Sequence, residues 1–183
     1  MIDAVIEASP PMLIYGGYLL WLLAGAADFL CHRRTDLPHT SGLAESWMHL
    51  LQLAVIGSGL VLWLALTPSL LLLSIELLLV TVHAVFGYVD TRRAFGRRVI
   101  SPVEQHVHSI LDMAPIIAFG ILLGSEWSTA WQRGWTLAAR QPPFSPAVWM
   151  WVLAPALLLC VLPALLEFRA AWSARGRRLR HAW

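Results

Sequence analysis

EQHVHSILD, residues 104–112, puts two acids and two histidines into nine residues and runs straight into MAPIIAFGILLG, residues 113–124. The second stretch has the composition of a membrane helix. A charged side chain deep in a bilayer costs about 2.5 kcal/mol or more, so charges at the mouth of such a helix need a use. Ser101-Pro102-Val103-Glu104 just ahead of it reads as an N-cap Ser, a Pro at N1 and an acid at N3, a capping box that fixes where the helix opens.

The rest of the chain fits a membrane reading. Its 183 residues are 58% hydrophobic and only 13% charged, with a mean hydropathy of +0.65; soluble domains carry about 25% charged residues. This length predicts one domain. A spanning helix needs about 20 apolar residues, and five segments qualify, at 11–31, 43–66, 69–89, 102–123 and 147–168. The fold expected is an all-α integral membrane bundle of about five helices, four of them forming a metal-binding core. Thr67-Pro68-Ser69 is so short a link that spans two and three must form an antiparallel hairpin. Trp127, Trp131 and Trp135 recur every four residues in 125–146, which predicts a short helix lying in the membrane interface. Residues 169–183 form a basic tail. MIDAVIE at the start lacks the basic n-region of a secretory signal. Cys31 and Cys160 lie in different apolar segments and read as small core residues.

Arginine sets the expected orientation. The 32–42 loop, the 92–101 loop and the tail share one face of the bundle and hold eleven arginines, against Arg133 and Arg140 on the other face. The positive-inside rule puts the arginine-rich face in the cytoplasm of a bacterial inner membrane, with the N-terminus periplasmic and the C-terminus cytoplasmic.

The ionisable residues then fall into a pattern. Span one ends at the arginine-rich face with Asp28 and His32, and span two begins there with Glu45 and His49. Span three ends there with His83 and Asp90, and span four begins there with Glu104 and His108. Three pairs are four residues apart and one is seven apart, spacings that keep each pair on one helix face. Each of four helices thus offers one carboxylate and one imidazole. His106 and Asp112 are near enough to be further ligands or their hydrogen-bonding partners. Glu76 lies seven residues before His83, close to the bilayer middle; a protonated acid bonded to Ser58, and a proton relay or substrate-channel lining, are equal readings of it. His39 and His181 read as surface histidines. Taken singly, each pair reads as a cap or a surface ion pair; four pairs at one membrane face point to bound cations.

Crowded carboxylates repel one another, and divalent cations relieve that repulsion. Carboxylates and imidazoles in a four-helix bundle are the ligands of soluble di-iron and di-manganese proteins, where the motif is Glu-x-x-His; here it is Asp/Glu-x-x-x-His. Two metal ions are expected, iron first, with zinc or manganese as competitors. The function that follows is a dimetal, di-iron oxidoreductase that uses O2 or peroxide on a lipophilic substrate such as a lipid or quinone. The alternatives are a dizinc hydrolase of a lipid amide or ester, a b-type haem protein and a proton-conducting subunit. No nucleotide-binding loop is present, so electrons would come from a donor protein. Membrane lipids are the other expected partners, an oligomer stays open, and nucleic acid is not expected: the tail reads as a topology anchor or a contact with anionic lipid.

DFLCHRRT, TSGLAESWMHLLQLA and SPVEQHVHSIL, together covering about residues 28–115, resemble a group of small multi-pass bacterial membrane proteins with DxxxH, ExxxH and EQHxH motifs. The resemblance implies the multi-span fold and supplies no reaction. The HxxHH clusters of membrane desaturases and alkane hydroxylases are not in the sequence.

Overall fold

A computed structural model describes residues 10–180, with side chains over residues 12–176. His181 and the side chains of Arg177, Arg178 and Arg180 lie outside the described residues, as do residues 1–9. The described residues form an all-α bundle in which five helical segments are long and apolar enough to cross a membrane. Helix α1 is Pro10–Arg34, α2 Leu43–Ala65, α3 Leu70–Ala94 and α4 Pro102–Arg133; the fifth span is α5 Pro146–Ala156 and α6 Leu162–Arg180, joined by a π turn at Leu157–Val161.

Local chemistry places the boundaries. Pro68 biases Thr67 away from helical backbone, so α2 ends at Ala65 with Leu66 as its extended C-cap, and the Ser69 hydroxyl caps α3 by accepting from the Leu72 amide at 3.1 Å. Ser101 caps α4 in the same way, accepting from Glu104 N at 3.2 Å. This is half of the capping box. The Glu104 carboxylate does not reach back to complete it but turns into the bundle, where neither of its oxygens is exposed. In the fifth span, Pro155 and Pro163 each lack the amide the ladder needs. Between them the helix widens by one π turn, with Leu162 N bonded to Leu157 O.

The segment 125–146 departs from expectation. It holds no separate interfacial helix: α4 continues unbroken to Arg133 and stops at Gly134, whose φ of +60° suits glycine. Trp127 and Trp131 remain neighbours on α4, ring centroids 5.8 Å apart, while Trp135 falls in the following loop. That loop folds back on the α2–α3 turn. Thr67 N donates to Ala138 O, Arg140 N to Ala65 O and Leu70 N to Gly134 O. The periodic tryptophans thus marked the end of a long helix rather than the start of a new one.

The helices close into a ring in the order α1, α4, α3, α2, fifth span and back to α1. Gly25 lets α1 and the π turn approach, since a Cβ there would lie 2.9 Å from Cys160 Sγ; the thiol donates to Leu22 O at 3.6 Å. Both cysteines are free. At the arginine-rich end the ring is polar inside and apolar outside; elsewhere Leu22, Leu64, Leu72 and Leu73 fill it. Leu20, Leu23, Leu77, Leu78, Leu158 and Ile117 are exposed, whereas Asp28, His32, Glu45, His49, Asp90 and Glu104 are buried. Lipid-facing leucine around a polar end is the reverse of a water-soluble core.

Candidate metal centre

At the arginine-rich end, α1 and α2 are not ring neighbours, yet their side chains meet across the middle. The His32 and His49 rings stack at 4.6 Å between centroids and 6° between planes. One carboxylate holds both. Glu167, on α6, accepts from His32 Nδ1 through Oε2 at 2.8 Å and from His49 Nδ1 through Oε1 at 2.7 Å. A carboxylate can only accept, so Nδ1 of each ring is the protonated nitrogen. If the rings are neutral, each Nε2 then presents a lone pair to the bundle interior.

Those lone pairs face acids. His32 Nε2 lies 3.3 Å from Asp28 Oδ2, 3.7 Å from Glu104 Oε1 and 3.9 Å from Glu45 Oε1. His49 Nε2 lies 3.2 Å from Asp90 Oδ2, and His108 Nε2 lies 3.0 Å from Asp28 Oδ1. Lone pair against carboxylate is repulsive without a cation between them. Protons would serve, but two imidazolium rings stacked this closely repel by about 3–4 kcal/mol at an effective dielectric of about 20. A metal ion serves without that cost. Donor atoms spaced 3.0–3.3 Å fit edges of the coordination shell of an ion about 2.1 Å from each. His32 Nε2, Asp90 Oδ1 and Glu104 Oε2 lack a hydrogen bond. Two groups, Asp28/His32/Glu104/His108 and His32/Glu45/His49, each bring their ligand atoms within 4.8 Å of one another and could hold a metal ion.

Arg98 closes the group from the α3–α4 loop. Gly96, at φ +75°, turns the chain after α3. The guanidinium then lies buried, with Nε 3.0 Å and Nη2 2.5 Å from Glu45 Oε1 and Nη1 against Glu104 Oε1. Burial alone would lower the Arg98 pKa, but its bonds to Glu45 and Glu104 outweigh burial and raise it. The group keeps its charge at any working pH.

Most of the residues singled out in the sequence gather here, and three do not. His106 is exposed and donates from Nδ1 to Pro102 O at 2.8 Å, away from the centre. His83 is buried two turns below Asp90 with Nδ1 unbonded, outside both groups. Glu76 is buried deeper still. The expected partner Ser58 instead bonds its own helix at Ala54 O, 2.7 Å, and Glu76 packs on Gly59, where a Cβ would lie 2.5 Å from Oε2. Asp112 lines a small void beside Asp28, His49, Asp90 and His108.

Glu167 and Arg98 are the residues that sequence reasoning missed. Glu167 enlarges the expected four-helix core to five helices. It carried a usable signal, an acid at the arginine-rich end of a span in PALLEFRA. Arg98 carried none, because Arg97-Arg98 reads as topology charge. A pocket of about 190 Å³, lined by Phe29, Leu37, Pro163 and Leu166, opens beside His32 and Glu167 between α1 and α6.

Fold and site together define a five-span α-helical membrane protein with buried histidine and carboxylate groups able to hold metal. Compared with family models, with curated proteins and with solved structures, the chain finds no match in any of the three.

Proposed function

We propose that this chain is a membrane-embedded dimetal oxidoreductase, holding two iron ions at the cytoplasmic end of a bacterial inner-membrane bundle. The observation that carries the reading is the shared carboxylate. Glu167 engages Nδ1 of both His32 and His49 and turns their Nε2 atoms toward Asp28, Glu104 and Asp90. A carboxylate behind a histidine, fixing its tautomer and aim, is what metal-ligating histidines require.

Charge supports two ions rather than one. Asp28, Glu45, Asp90, Glu104 and Glu167 are five carboxylates set against the single Arg98 guanidinium. The four negative charges left over are what two divalent cations balance. Mixed oxygen and nitrogen donors favour iron, with manganese and zinc next. The parallel stacking of His32 on His49 leaves no space for a porphyrin between them and weighs against haem.

A bound iron pair would supply two-electron oxidation of a lipophilic substrate, with O2 or a peroxide as oxidant; full reduction of O2 draws two further electrons from a donor protein. The chain's own part is to hold and shield. Glu167 and Arg98 fix the ligands, the apolar outer face of the ring keeps bulk water out, and the pocket beside His32 is where the lipophilic substrate would sit.

Elemental analysis and the visible spectrum of the full chain, purified in detergent without chelator, test the reading. Close to two iron ions per chain, lost in His32→Ala and Glu104→Ala, is the expected result. Two zinc ions and no visible absorption would move the reading to a hydrolase, and a Soret band would move it to haem. No bound metal, and none taken up on adding iron(II), would end it.

A further inference from the structure

Against the two His/carboxylate groups, sharing Asp28, His49 and His108 with them, lies a void of about 20 Å³ lined by residues of α1, α2, α3 and α4. That volume takes one water or one ion. Its walls argue for the ion. Asp28, Asp90 and Asp112 bring carboxylates to it, and His49 and His108 bring imidazoles. Asp90 Oδ1 finds no hydrogen bond, Asp28 Oδ1 faces His108 Nε2 at 3.0 Å, and Asp28 and Asp90 are 5% and 6% exposed. One water has two hydrogens to give and cannot neutralise three carboxylates that line one void.

The backbone is shaped to admit the third acid. Gly87 lies on α3 one turn before Asp90, and a Cβ there would be 2.6 Å from Asp112 Oδ1. Any side chain at this position would push the Asp112 carboxylate out of the void. Asp112 itself is exposed, unlike the ligands of the group around His32 and Glu104.

We infer that this void is the seat of one of the two cations, held by Asp28, His49, Asp90 and His108, with Asp112 as an outer, displaceable ligand admitted by Gly87. The inference rests on the dimetal reading and divides it into two unlike positions. The position around His32, Asp28 and Glu104 is closed. The position at Asp112 is oxygen-rich and open on one side, and it is the one that exchanges its ion and accepts an outside ligand. Asp28 faces both, with Oδ2 toward His32 and Oδ1 toward His108, and joins the two positions.

Cobalt(II) titration of the metal-stripped full chain in detergent, followed by its visible bands, tests the assignment. Wild type should take up two equivalents. Gly87→Ala and Asp112→Asn should each keep one tight equivalent and weaken the other at least tenfold. Asp112→Asn changes a solvent-facing group and guards against a folding defect in the glycine variant. Two wild-type affinities in both variants, or equal loss of both equivalents, would overturn the assignment. A wild-type chain that binds no cobalt would instead strike the dimetal reading beneath it.

Discussion

His32 and His49 come from helices that are not neighbours in the ring, yet their imidazoles lie parallel at 4.6 Å and share the carboxylate of Glu167. That relationship ties three helices to one point and determines what the centre can bind. A perturbation of the carboxylate should therefore be felt by both rings at once.

Glu167→Gln leaves one oxygen and one NH2, so only one of the two Nδ1–H groups keeps an acceptor. Metal affinity should fall about tenfold to a hundredfold, measured by competition with a chelator. Glu167→Asp retains both oxygens and should recover part of the loss. Equal affinity in all three proteins would remove Glu167 from the centre.

Arg98→Met leaves Glu45 and Glu104 buried without their cation. Breaking a buried pair from one side costs about 3–5 kcal/mol, read as a lower unfolding midpoint of the metal-free protein in detergent. Arg98→Lys should not restore it, because an ammonium cannot reproduce the fork on Glu45. The Arg98 pKa is raised in the folded state, so its stabilising charge is complete below the unfolded pKa and fades only as strong alkali passes the folded one. The cost attributable to Arg98 should thus be the same at about pH 6 and pH 9.

Gly59→Ala sets a methyl against Glu76, at a position where a Cβ meets Oε2 at 2.5 Å. The expected destabilisation is about 1–3 kcal/mol. Adding Glu76→Ala should relieve part of it, and the double-mutant cycle should show coupling of about 0.5 kcal/mol or more. Additive losses would mean that the two positions do not touch.

Metal itself should stabilise the bundle. An ion present at about 100 times its dissociation constant adds about 2.7 kcal/mol, visible as a rise in the midpoint on adding iron(II) and a fall on adding a chelator. Neither shift should survive in a His32→Ala/Glu104→Ala double variant.

The spans, the α2–α3 hairpin and the cap at Ser101 were legible in the sequence because hydropathy, turn residues and capping are local: each is decided within about twenty neighbours. The i,i+4 pairs Asp28/His32, Glu45/His49 and Glu104/His108 were legible for the same reason, since helical spacing alone puts each pair on one face. Local information also misled, where Trp127, Trp131 and Trp135 suggested an interfacial helix that is the far end of α4 and its loop.

What the sequence could not determine was the order of helices around the ring and the identity of groups that arrive from another element. Glu167 meets His32 from 135 residues away, and Arg98 meets Glu45 from 53 residues away. His83 shares a helical stripe with Asp90, yet it stays away from the void that Asp90 and Asp112 line. Periodicity states which face of a helix a residue occupies. Only the packing of five helices decides what that face meets, because that choice depends on shape and charge complementarity across the whole bundle.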